Sequence, residues 1–170
     1  MRIRWGRSEV ATVIIVVSLV VAASGHAQEP RPTRPDADTD KVIRLTPGEL
    51  TWTAGPPMLP PGASMAVIEG SFSAPGPFTV RLKFPANYRI PPHWHPVKVT
   101  VTVISGSFNM GFGDELDTGK GKMLPTGSIF EMPATIHHFG WTTEETIIQE
   151  HGLGPLSVKY LQSAHDGRHQ

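Results

Sequence analysis

The sequence predicts an all-β domain of short antiparallel strands folded into a sandwich or barrel. Three observations carry this. Gly and Pro number 17 each in 170 residues, a proportion that suits many strands joined by tight turns. Almost no stretch keeps apolar residues at helical spacing without an intervening Gly or Pro. Phe78-Thr79-Val80-Arg81-Leu82-Lys83-Phe84 alternates strictly, so its apolar side chains share one face, as in a half-buried strand.

The N-terminus reads as an export signal over residues 1–27. Arg2, Arg4 and Arg7 form a positive start, and Val10 to Ala23 is an apolar run of 14 residues broken only by Thr12 and Ser18. Gly25 and Ala27 place small residues where a signal peptidase reads. The run is short for a bilayer span, which needs roughly 20 residues. The expected location is periplasmic or secreted, with no stable membrane anchor after cleavage; the competing expectation is an uncleaved N-terminal anchor. No Cys follows the run, which excludes a bacterial lipid anchor. Residues 28–41 are polar and Pro-rich and read as a disordered linker. A single domain is expected over 42–164, with a polar tail at 165–170. Without residues 1–27 the chain keeps 12 basic and 14 acidic residues, a balance that points to no particular partner. No basic block is present, so nucleic-acid binding is not expected.

Within the domain, Pro47 to Leu50 reads as one helical turn. Ala66 to Glu69, Phe78 to Phe84, Val97 to Ile104, Ser128 to Met132, His137 to Trp141, Thr146 to Glu150 and Leu156 to Leu161 read as strands. Thr142 to Glu145 reads as a hairpin turn, Asp114 to Lys122 as a loop, and Gly152 to Pro155 as a turn. Seven or more short strands suit an antiparallel sandwich, a lipocalin-like barrel or a jelly roll, and strand count does not choose among them.

Cysteine is absent, so a metal must be held by imidazole and oxygen ligands. Of eight histidines, His26 lies in the signal and His165 and His169 in the tail. His93 and His95 are two apart, so in a strand both rings aim at one side. The same parity continues through Val97, Val99, Val101 and Val103, which places the imidazoles on an apolar face. Unpaired polar groups are costly to bury, and one divalent metal would satisfy both rings. A second pair, His137-His138, follows the turn Pro133-Ala134-Thr135-Ile136, far enough on for the chain to return across the same cavity.

Two segments carry a resemblance. The first is Pro92-His93-Trp94-His95-Pro96 followed by Val103-Ile104-Ser105-Gly106; the second is Gly127 followed by Pro133-Ala134-Thr135-Ile136-His137-His138. In order and separation they are similar to the two motifs of a small single-domain cupin, of the type-2-like, RmlC-like superfamily, over Gly62 to about Leu161. The resemblance implies a double-stranded β-helix, that is, a jelly-roll barrel. It implies metal ligands at His93, His95 and His138, a small-molecule ligand or substrate, and a homodimer. The chain departs from the pattern in three places. Ala86-Asn87 stands near the first motif's Gly, Thr135 replaces the second motif's Gly, and Val99 stands where the first motif carries a Glu.

Three imidazoles without a carboxylate suit one divalent transition metal (Fe, Zn, Ni, Cu or Mn) better than Mg or Ca, which prefer oxygen ligands. The fourth ligand is water, His137, Gln149 or His151. His137 has the opposite parity to His138; His151 is also read as a proton shuttle or a strand-end histidine bonded to backbone. Three functions follow. The first is a three-His metal-dependent oxygenase, a dioxygenase or related oxidoreductase, acting on a small molecule. The second is a non-catalytic metal-binding or sensing module. The third is a degenerate cupin that binds a ligand without metal. No catalytic residue is assigned, and fold does not choose among the three.

Overall fold

The structure is a computed structural model that describes residues 42–161. The expected signal over 1–27, the linker over 28–41 and the tail over 165–170 lie outside the described residues, as do His26, His165 and His169. Eleven strands form two antiparallel sheets: β1 (Thr53–Ala54), β2 (Ser64–Gly70), β3 (Gly76–Phe84), β4 (Arg89–Trp94), β5 (Val99–Ser105), β6 (Ser107–Phe112), β7 (Lys122–Pro125), β8 (Ile129–Met132), β9 (His138–Thr142), β10 (Thr146–Gly154) and β11 (Lys159–Tyr160). A six-stranded sheet runs β1-β2-β3-β10-β5-β8 and a five-stranded sheet runs β11-β4-β9-β6-β7. The only helical pieces among the described residues are single 3₁₀ turns, Pro47–Glu49 and Thr118–Lys120.

Strand β3 is where sequence and structure agree most closely. Phe78, Val80, Leu82 and Phe84 point inward and are buried, while Thr79, Arg81 and Lys83 are half-buried on the other face. Phe84 is fully buried and stacks on Tyr88 at 5.0 Å between ring centroids. Burying a side chain of this size contributes about 1.5–3 kcal/mol. Val99, Val101 and Val103 of β5 and Ile148 of β10 complete this wall. Phe108 and Met110 of β6, with Ile90 of β4, supply the opposite one.

Three expectations are corrected. His93-Trp94-His95 and the valines do not share a strand. The chain bends at Pro96 and Val97, and β4 belongs to the five-stranded sheet while β5 belongs to the six-stranded one. Pro96 has no N–H to continue a ladder, so the strand ends there. The imidazoles and valines share an interior because two sheets face each other, not through one parity.

The second correction concerns β10, which runs on through Gly154 where a turn was expected. Gly152 permits this: a Cβ there would sit 3.0 Å from the carbonyl oxygen of Lys98. Third, only Lys159–Tyr160 of the Leu156 to Leu161 run is a strand.

Strands β6 and β7 were not expected. Ser107-Phe108-Asn109-Met110-Gly111 is buried on both faces, so it shows no alternation. Gly140 of β9 lies against the Phe108 ring, which a Cβ would strike.

Candidate metal centre

A bulge aims β4 at the cavity. Ile90 pairs with Gly140 and His93 with His138, so three steps on β4 match two on β9. Pro91 and Pro92 occupy the extra step, and proline tolerates a bulge because neither residue has an N–H to offer the ladder. Ile90 and His93 therefore both face inward despite opposite parity, and both line the cavity.

His93, His95 and His138 are all buried. One nitrogen from each lies within 4.8 Å of the others. The ring centroids are 4.1 Å apart for His93 and His138, 5.0 Å for His93 and His95, and 5.1 Å for His95 and His138. Ligand atoms about 2.0–2.1 Å from a shared metal sit about 3–4 Å apart, somewhat closer than the 4.8 Å within which these nitrogens fall.

The outward side of each ring is fixed by backbone. Nδ1 of His93 donates to the Pro91 carbonyl at 2.7 Å, Nδ1 of His95 to Ser157 at 3.1 Å, and Nδ1 of His138 to Ile136 at 2.9 Å. A carbonyl only accepts, so each Nδ1 carries the proton and each Nε2 keeps its lone pair. Burial lowers all three basicities, His93 well below the ordinary histidine value and His138 to about 4. For His93 the neighbouring His138 and His95 push the same way. Three neutral imidazoles in a row are the protonation state a divalent transition metal requires.

Both departures from the expected glycines keep a glycine-like backbone. Asn87 has φ 62° and Thr135 has φ 67°, in the left-handed region. Asn tolerates that region; a β-branched Thr is strained there. The Thr135 amide donates to the His95 carbonyl at 2.9 Å, which ties the turn before His138 to the end of β4.

His137 and His151 are not brought to the cluster. His137 is half-buried, and its Nδ1 donates to Asp114 Oδ1 at 2.7 Å. His151 is exposed on β10. Gln149 also faces away, accepting from Arg81 Nε at 3.2 Å. On β10 it is Thr146, Ile148 and Glu150 that point inward, the face opposite to Gln149 and His151. Glu150 was therefore missed, although it lines the same cavity as the histidines. Its ligand atoms are not among those grouped within 4.8 Å. Burial alone raises its carboxyl to about 7.

The cavity measures about 740 Å³ including its open mouth. Its walls are apolar, with Leu82, Phe84, Val99, Phe108, Phe130 and Met132 among them. Val99 is buried in the wall at the position where a carboxylate was expected. Pro56, Met58 and Leu59 cover one side. Two tyrosines pin that segment: the Tyr88 hydroxyl donates to the Pro60 carbonyl, and the Tyr160 hydroxyl to the Met58 carbonyl at 2.9 Å. Tyr160 is also the register partner of His93.

The two antiparallel sheets make a jelly-roll barrel, a fold shared with solved cupin structures. The polyketide cyclase RemF from Streptomyces resistomycificus is similar, with a TM-score of 0.59 and 14% identity over 74% of this chain and 89% of that one. An RmlC-like cupin protein from Ralstonia eutropha is also similar, with a TM-score of 0.54 and 20% identity over 72% of this chain and 73% of that one. No family model matches the sequence, and no curated protein matches it.

Proposed function

We propose that this protein is an exported metal-dependent cupin enzyme acting on a small, largely apolar molecule. The observation that carries this reading is the shared orientation of the three imidazoles. Backbone carbonyls hold every Nδ1 and leave every Nε2 free in one buried cluster. His93, His95 and His138 would hold one divalent metal, and an open coordination position would supply Lewis-acid or dioxygen chemistry. Oxygenase chemistry is the reaction class to examine first, because an apolar cavity suits an apolar substrate that reacts with dioxygen. Val99 in the wall favours a second reading, a cupin that only holds metal.

The test is elemental analysis of the purified protein and of His93→Ala, His95→Ala and His138→Ala. Near-stoichiometric metal in the parent and its loss in each variant support the site. Metal content surviving all three changes removes it. Oxygen uptake with a panel of diketones, thiols and phenols then separates the two readings. We also propose export and a homodimer, checked by the N-terminal residue of the mature protein and by its mass in solution.

A further inference from the structure

Glu150 has no place in the metal cluster and no partner of its own. It sits on β10, the inner strand between β3 and β5 in the six-stranded sheet. Its register neighbours are Val80 and Val101, both buried and apolar. The side chain is itself buried at 8% exposure, and it lines the cavity. Among the described residues no hydrogen bond or ion pair reaches its carboxyl, and only burial shifts it. Among the described residues the three histidines are the only other titratable side chains lining the cavity, and no Lys or Arg lines it.

A carboxyl set among apolar side chains and open only to the cavity loses most of its hydration, so a site with no use for an acid is better filled by an apolar residue. The missing fixed positive charge also matters. Apart from a metal held by the histidines, nothing in the walls would recognise a phosphate or a carboxylate, and few donors would recognise a sugar. The apolar lining suits a guest that is largely apolar and turns one oxygen toward the histidine cluster.

We propose that Glu150 is the proton-transfer group of this site, acting on a carbon acid, an apolar ketone whose carbonyl faces the histidine cluster. The inference rests on the metal-site reading above. In the step, the Glu150 carboxylate takes a proton from the carbon next to the carbonyl. The C–H bond breaks, an O–H bond forms on Glu150, and the electron pair moves through the new C=C to the carbonyl oxygen. The proton, or one exchanged from solvent through the open mouth, returns to carbon. No oxidant or reductant enters. A carboxyl titrating near neutral pH is matched to this task, because it exchanges protons readily in either direction.

The test uses the full chain loaded with zinc and 2-tetralone as probe, with loss of the α-proton signal in D₂O followed by NMR. The wild type should exchange faster than buffer, with a rate that rises as pH passes through 7 and Glu150 ionises. Glu150→Gln should lower the rate by about 100-fold or more, the usual contribution of a positioned base. Its zinc content should match the wild type. Exchange no faster than buffer in the wild type overturns the proposal, as does an equal rate in Glu150→Gln. Zinc lost from Glu150→Gln also overturns it, because the carboxylate is then a ligand. The metal reading fails separately: exchange that depends on Glu150 while His93→Ala retains full zinc would leave the base in place and remove the histidine site.

Discussion

The five-stranded sheet supplies the imidazoles, from β4, its exit and β9, whereas the six-stranded sheet facing it supplies apolar side chains and one carboxyl. Desolvation acts on both sheets and moves their titratable groups in opposite directions. It lowers His93, His95 and His138 and raises Glu150. In each case the shift is toward the neutral form, because the interior disfavours charge of either sign. At neutral pH the imidazoles are therefore held neutral, while Glu150 stands near its midpoint. The contrast teaches that one apolar enclosure moves three imidazoles and one carboxyl toward their neutral forms by the same physical cause.

The comparison can be broken at its most sensitive point in the five-stranded sheet. His93→Ala should abolish stoichiometric metal while leaving a folded β protein. Elemental analysis with far-ultraviolet circular dichroism reads both, and retained metal would show the sheet is not the ligand source. On the other sheet, Phe84→Ala should cost about 3–5 kcal/mol of stability, as large-to-small core changes do, measured by urea unfolding. If the folded fraction still binds metal, the wall and the ligand set are separable.

Glu150→Gln gives a smaller, pH-dependent effect. The carboxyl is raised from 4.5 to about 7, so the native state holds its proton more tightly than the unfolded chain does. That difference is without effect below pH 4.5 and destabilises progressively as pH rises to about 7, where it levels off. Relative to wild type, the metal-free variant should therefore gain about 3 kcal/mol between pH ~4 and ~9. A flat difference across that range would mean that the carboxyl is not desolvated. The histidines work the other way: their depressed basicity withdraws stability from the metal-free protein as pH falls below 6.5. The smallest effect is Thr135→Gly, which should stabilise by about 1 kcal/mol by relieving a left-handed β-branched residue, read from the urea midpoint.

How much was legible in the sequence depended on whether a strand had one wet face. Strand β3 did, and its alternation gave the correct face for every residue from Phe78 to Phe84. Strand β6 is buried on both sides and carries Gly111, so neither period nor propensity marked it. Strand β10 offers an isoleucine to each face, Ile147 and Ile148, so its phase was undetermined. The wrong choice brought forward Gln149 and His151 and hid Glu150. The grouping of His93, His95 and His138 was visible from motif spacing. The bend at Pro96 that puts β4 and β5 in different sheets was not, because parity counting assumes an unbroken strand. Thr135 and Asn87 looked like lost glycines, yet both hold a positive φ of the kind glycine adopts most readily.

The segment over Pro56 to Pro60 rests on two phenol hydroxyls, from Tyr88 and Tyr160. Each such bond is worth only about 1 kcal/mol net, far less than the barrel that carries it. Loosening those two bonds leaves both sheets intact, and neither tyrosine lines the cavity, so the cover and the cavity walls can vary in sequence independently of one another.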